Sequence, residues 1–301
     1  MPAATRAPFT PVGRFAPSPT GPLHFGSLVA ALGSWLDARS VGGRWWLRIE
    51  DIDAPRSVPG AADDILRTLE ACALHWDGPV WRQSARLARY DAELERLRAA
   101  GALYACTCSR RQLLGAVGGV YPGTCRAAAH PFGPRTALRV RTDDTPIAFD
   151  DRIRGHQQQR LASEVGDFIV RRADGFHAYQ LVVVIDDAEQ GVTDVVRGAD
   201  LLDSTARQIH LQRLLGYPTP RYAHLPLAVD AHGAKLAKSS SAPPVDRCRP
   251  GPALWAALGF LHQAPPPALR GASPAELLAW AVPAWRPERI PATAALRAPA
   301  P

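Results

Sequence analysis

Residues 14–27 read RFAPSPTGPLHFGS, from Arg14 to Ser27, and hold three prolines, two glycines, one arginine and one histidine. A plain connector needs no such set. The stretch follows a short apolar run, VGRFA, that suits a strand, and it leads into GSLVAALGSWLDARSVGG, where Leu28, Leu32, Trp35 and Leu36 recur at helical spacing and Gly42-Gly43 supplies a stop. RWWLRIED comes next, an apolar strand ending in carboxylates, so the opening reads as a βαβ unit of a parallel sheet. Ligands of such sheets sit beyond the carboxyl ends of the strands.

A stiff loop that runs into a helix N-terminus presents unpaired N–H groups and the positive end of the helix dipole, which favours a phosphate. Prolines stiffen this loop, Gly21 and Gly26 let another group approach its backbone, and His24 is placed to donate to a phosphate oxygen. The same residues also fit a turn that only caps the helix, with His24 on the surface. Local physics leaves both readings open.

Farther along, helical patterns recur at PGAADDILRTLEACAL and RLARYDAELERLRAAG. Residues 104–134, rich in Cys, Gly and Pro, interrupt this rhythm as an insertion. Strand-like runs follow at TALRVRT, PIAFDD and DFIVRRADGFHAYQLVVVID, the last with a turn at Ala173-Asp174-Gly175. A helix at DLLDSTARQIHLQRLLG and a strand at HLPLAV precede GAKLAKSSSAPP, and the Pro/Ala-rich tail is expected to fray.

The 301 residues allow one large or two modest domains. Lys and Arg outnumber Asp and Glu by 35 to 28, which is compatible with a polyanionic partner without requiring one. No apolar run reaches the roughly 18 residues of a membrane span, and the first residues lack the apolar segment of a secretory signal. The expectation is a cytoplasmic protein with no membrane partner. Of five cysteines, Cys72 and Cys248 stand apart, while Cys106, Cys108 and Cys125 are bunched, which suits a metal in a reducing compartment better than disulfides. Three thiolates leave a tetrahedral zinc one ligand short.

PSPTGPLHFGS resembles the HIGH region of class I aminoacyl-tRNA synthetases in the glutamyl form, and Lys235–Ser239 (KLAKS) resembles their KMSKS loop. RIEDIDAPR (48–56), HAYQLVVVIDD (177–187) and VVRGADLLDST (195–205) are similar to glutamyl-synthetase segments in the same order. The resemblance covers roughly residues 10–245 and departs from the motifs at Ser27, in place of the second His, and at Ala237, in place of the Ser. It implies an α/β, Rossmann-type class I catalytic domain with a zinc-binding insertion and a short helical C-terminal part. Only a short stretch follows Lys238, where glutamyl-tRNA synthetases continue into a large helical anticodon-binding domain. The expected layout is therefore the first half of the catalytic domain over 1–103, the zinc insertion over 104–134, the rest of the insertion and the second half over 135–245, and a helical region and tail over 246–301.

The resemblance is to the shortened paralogue family, which activates L-glutamate with ATP without tRNA and esterifies it to the queuosine base in the anticodon of tRNA(Asp). It implies glutamate binding by Arg14, Phe15, Ala16, Pro17, Ser18, Glu50, Tyr179 and Arg197, and ATP binding or catalysis by His24, Gly26, Ser27, Lys235 and Lys238, with Mg²⁺ brought by ATP. It also implies one structural Zn²⁺ on Cys106, Cys108, Cys125 and Tyr121, with His130 close enough in sequence to compete for the fourth place. A monomer is expected. Three rival readings are a compact synthetase charging a tRNA 3′ end, a different nucleotidyltransferase, and an inactive tRNA-binding paralogue suggested by Ala237.

Overall fold

Strands β1 (Val12–Phe15) and β2 (Arg44–Ile49) run parallel, Val12 opposite Arg44 and Phe15 opposite Leu47, with helix α1 (Phe25–Arg39) crossing between them. The computed structural model describes residues 10–113, 119–236 and 243–299. Strand β3 (Trp81–Arg82) extends the sheet beyond β2. On the other side of β1 lies β9 (Asp194–Gly198), where the Thr193 N–H donates to the Val12 carbonyl at 2.9 Å and Thr193 Oγ1 accepts from the Val12 N–H at 2.8 Å. Parallel strands β10 (Arg221–Leu225) and β6 (Pro146–Asp151) follow, and the antiparallel hairpin partner β7 (Gly155–Arg160) closes that edge.

The spatial order is thus β3-β2-β1-β9-β10-β6-β7. From β1 the chain winds outward one way through α1 to β2, and from β9 it winds the other way to β10. A crevice opens at such a reversal beyond the strand ends, and Arg14 and Arg197 sit on the two strands that flank it.

Each face of the sheet carries its own core, as alternation along the strands requires. Leu28, Leu32 and Leu36 of α1 pack with Trp45, Leu47, Val196 and Leu225 against α8 (Pro250–Phe260) and α9 (Pro274–Ala284), beside α2 (Ala61–Ala71). The other core joins Val12, Val195 and Tyr222 to α3 (Leu87–Ala99), α6 (Tyr179–Glu189) and α7 (Thr205–Leu215). A small antiparallel sheet of β4 (Leu103–Cys106), β5 (Ala137–Val140) and β8 (Ile169–Arg171) supports the cysteines, with α4 (Arg110–Leu113) and α5 (Leu161–Glu164) as single turns nearby.

Two expectations are corrected. HAYQLVVVID is not a strand: after β8 the chain turns at Gly175, φ +93°, and Tyr179–Glu189 is α6. Every residue from Leu181 to Asp187 is buried, so this stretch has no solvent-facing stripe, and its Val-rich run shows no period to separate helix from strand. The tail does not fray as far as Arg297: β12 (Ala295–Arg297) pairs in parallel with β11 (Leu227–Val229), and the Ala298 N–H donates to the Val229 carbonyl at 2.8 Å.

Candidate active site

His24 is the N-cap of α1: its Nδ1 accepts the Ser27 N–H at 3.3 Å, and its Nε2 lies 3.0 Å from Ser27 Oγ. The helix begins without an acidic residue in its first turn, so no carboxylate of α1 itself opposes an anion there. An open cleft of about 210 Å³ lies beside it, lined by Phe15, Pro17, Ser18, Gly26, Gly198 and Lys235 among others. Lys235 forms an ion pair with Asp200 at 2.6 Å.

Lys238 and Ala237 lie outside the described residues. The chain on both sides of them is tied to the His24 loop. The Leu236 N–H donates to the Ala228 carbonyl at 2.8 Å, a Cβ on Gly26 would come 3.3 Å from the Leu236 carbonyl oxygen, and the Val245 N–H donates to the Leu23 carbonyl at 2.8 Å.

Deeper in, Arg14, Glu50, Tyr179 and Arg197 converge although they come from β1, the end of β2, the start of α6 and β9. The Glu50 N–H donates to the Pro17 carbonyl at 3.0 Å, which fixes the carboxylate beside the loop. Arg14 donates through Nε to Asp187 at 3.3 Å, and Arg197 Nη1 points at the Tyr179 hydroxyl at 3.4 Å. The ion pairs of Arg197 with Asp194 or Asp200 that its sequence neighbours offer are not formed, since Asp194 pairs with Arg221 at 2.7 Å and Asp200 with Lys235. Burial raises the Glu50 carboxyl to about 7 against the pull of Arg48 and Arg14, with Asp187 and Asp186 adding to the rise. Ala16 is half-buried and Ser18 exposed at the mouth, while Phe15 stacks on Trp45 with ring centroids 6.2 Å apart.

In the insertion, the sulfurs of Cys106, Cys108 and Cys125 lie within 4.8 Å of one another, with Cys108 and Cys125 3.5 Å apart. Tetrahedral zinc with Zn–S bonds of about 2.3 Å requires sulfurs roughly 3.8 Å apart, so the thiols suit such an ion. Tyr121 Oη sits 3.5 Å from Cys106 Sγ and 3.8 Å from Cys108 Sγ, and it accepts the Cys125 N–H at 3.0 Å. His130 instead turns its Nε2 to Thr107 Oγ1 at 3.4 Å. Arg139 donates to Cys106 Sγ at 3.3 Å and lies over the Tyr121 ring at 3.6 Å, offsetting negative charge in the cluster. Burial opposes ionisation of Cys125, yet hydrogen bonds from the Thr107 backbone, Cys108 and Tyr121 bring its thiol down to about 6.

Residues 12–116 and 126–247 match the family described as tRNA synthetases class I (E and Q), catalytic domain. The chain is 58% identical over 280 residues to the glutamyl-Q tRNA(Asp) synthetase of Ectopseudomonas mendocina, covering 93% of this chain and 95% of that one. This chain belongs to the glutamyl-Q tRNA(Asp) synthetases. The Aromatoleum aromaticum member is 58% identical over 294 residues, covering 96% of this chain and 93% of its own length. Among solved structures, a glutamate tRNA ligase from Elizabethkingia meningosepticum in complex with its amino acid superposes with a TM-score of 0.79 at 26% identity, over 96% of this chain and 67% of that one.

Sequence reading of this class I synthetase misses the residues that hold the pocket from behind. Arg48, fully buried, donates to Asp187 at 2.8 Å and to Gln190 at 2.6 Å, and Asp187 is shared with Arg14. Arg48 and Asp187 stand inside the quoted segments RIED and VIDD, where charged residues set directly against apolar runs were the available signal. Asp151 and His224, which support Arg197, lie outside those segments and carry no such signal. Among the described residues no helix is long and apolar enough to cross a membrane.

Proposed function

We propose that this synthetase activates L-glutamate with ATP in the absence of tRNA and passes the glutamyl group to the queuosine base in the anticodon of tRNA(Asp). The observation that carries this reading is the convergence of Arg14, Glu50, Tyr179 and Arg197 at the β1/β9 crevice, next to the His24 loop. Arginines suit the carboxylates of a dicarboxylic amino acid, and the Glu50 carboxylate suits its ammonium.

The α-carboxylate is ionised at neutral pH, so attack on the α-phosphate needs no general base. A carboxylate oxygen bonds to phosphorus, the bond to the bridging oxygen breaks, and pyrophosphate leaves with the electron pair. What remains is alignment of two anions and neutralisation of charge on the leaving group. His24 Nε2, the N–H groups that open α1, Lys235 and Lys238 are the chain's donors for that task. A Mg²⁺ ion arriving with ATP supplies further charge neutralisation. In the second step a hydroxyl of the queuosine base attacks the glutamyl carbonyl, AMP departs, and the hydroxyl proton is lost to solvent or phosphate. Zinc, held by Cys106, Cys108, Cys125 and Tyr121, would be structural, since four protein ligands leave no position open for substrate.

The test is glutamate-dependent exchange of radiolabelled pyrophosphate into ATP without RNA, followed by transfer of labelled glutamate to tRNA(Asp) with and without queuosine. Exchange without RNA and labelling only of the queuosine-bearing RNA are the expected results. Labelling of the 3′ end, or exchange that requires tRNA, overturns the reading in favour of a compact glutamyl-tRNA synthetase. No exchange at all favours an inactive binding paralogue.

A further inference from the structure

Arg197 is held from behind by a buried histidine with a fixed tautomer. His224, on β10 with no exposed surface, places Nδ1 2.6 Å from Asp151 Oδ2, and its Nε2 accepts from Arg197 Nε at 3.0 Å. Asp151 ends β6, and its Oδ1 accepts the N–H groups of Ile153 at 3.0 Å, Arg154 at 2.8 Å and His224 at 3.2 Å. A carboxylate so placed can only accept, so Nδ1 carries the imidazole proton and Nε2 is left as a lone-pair acceptor. Burial and the neighbouring Arg197 and Arg14 keep His224 below the ordinary histidine range despite Asp151, consistent with a neutral ring.

The consequence falls on the guanidinium. Its Nε is taken by His224, and its Nη2 donates to Thr205 Oγ1 at 3.0 Å and to the Leu201 carbonyl at 3.3 Å. Nη1 is left beside the Tyr179 hydroxyl at 3.4 Å, on the side where Arg14 and Glu50 converge. With two of its three nitrogens tethered, the plane cannot turn, and one edge is presented to a substrate carboxylate.

We propose that Asp151 and His224 are positioning residues for glutamate binding, fixing the orientation of Arg197 through the His224 Nε2 lone pair. This rests on the assignment of Arg197 to the glutamate pocket. A protonated Nε2 would set two donors against each other and release the arginine.

The test reads the KM for glutamate and the KM for ATP separately in pyrophosphate exchange. His224→Asn removes the acceptor at the Nε2 position and is expected to raise the glutamate KM about tenfold or more, with the ATP KM within about twofold of the parent. His224→Gln can place an amide oxygen near that position and is expected to recover much of the loss. Asp151→Asn keeps shape and its Oδ1 bonds, but its amide N–H at the Oδ2 position moves the ring proton to Nε2, so it should match His224→Asn. This isosteric variant keeps the test alive should the histidine replacement fail to fold. Unchanged glutamate KM in all three variants, or glutamate and ATP KM rising together without rescue by Gln, overturns the inference. Absence of exchange in the parent protein would instead remove the activity reading on which it rests.

Discussion

The backbone of Gly26 lies against the carbonyl of Leu236, so closely that a methyl group on Gly26 would come 3.3 Å from that oxygen and 3.3 Å from the His24 ring. Two parts of the chain separated by most of the fold meet at the start of α1. Gly26→Ala should push the Leu236 segment and His24 apart. The expected outcome is a severalfold rise in the KM for ATP with the glutamate KM little changed, measured by pyrophosphate exchange; an unchanged ATP KM would mean that this contact does not set the cleft.

Lys238→Ala is expected to lower kcat for exchange about a hundredfold or more, the size of effect seen when a single donor to developing charge is lost. Lys235→Ala should cost less, because the charge of Lys235 is already partly offset by its ion pair with Asp200 at 2.6 Å. Steady-state rates at saturating ATP and glutamate check both; a Lys238→Ala enzyme at full rate would remove that residue from the reaction.

About one zinc per chain is expected by elemental analysis of freshly purified protein, lost in Cys106→Ser. Gly166 gives a sharper probe of Tyr121. Its φ is +75°, and a Cβ there would lie 2.4 Å from the Tyr121 carbonyl oxygen and 2.9 Å from Tyr121 Cβ. Gly166→Ala should therefore displace the tyrosine and weaken zinc retention against a chelator while leaving all three thiols in place. Equal retention in this variant and the parent would argue that Tyr121 is not a ligand.

Glu50 should make glutamate binding depend on pH near neutrality. Its carboxyl rises from an ordinary 4.5 to about 7 in the fold, through burial above all. Between those values the folded protein keeps a proton that the unfolded chain has released, so this group's contribution to stability declines as pH rises through the window. Affinity moves the opposite way. The ionised carboxylate is the proposed partner of the substrate ammonium, so the glutamate KM should fall as pH rises through about 7. Glu50→Gln should bind glutamate weakly, flatten this dependence and remove its share of the stability slope; a pH-independent KM in the parent would show that Glu50 is ionised throughout.

The βαβ opening was legible because each part carried a period or a stop: Leu28, Leu32 and Leu36 on α1, Gly42-Gly43 after it, and the apolar run of β2. Arg14, Glu50, Tyr179 and Arg197, which the fold brings together, were singled out through ordered motifs, not through physics of the single residue. Where helix α6 is buried on all sides, periodicity vanishes and Val182-Val183-Val184 favours a strand. His224 and Asp151 could not be paired from sequence, since their meeting depends on the register of β10 against β6, Tyr222 opposite Asp151. Nor does ALR at 295–297 announce a strand; the pairing edge that β11 offers creates it.

That last pairing has a consequence for biosynthesis. β11 leads into the segment that carries Lys235, and its partner β12 comes from residues 295–297. A chain growing from its N-terminus can pair β1 with β2 early, yet the support beneath the segment that carries Lys235 cannot close until residue 297 has left the ribosome. The nascent polypeptide would thus hold Arg14 and Arg197, on the two strands flanking the crevice, before β11 gains its partner, so docking of residues 295–297 would follow the synthesis of both sides of that crevice.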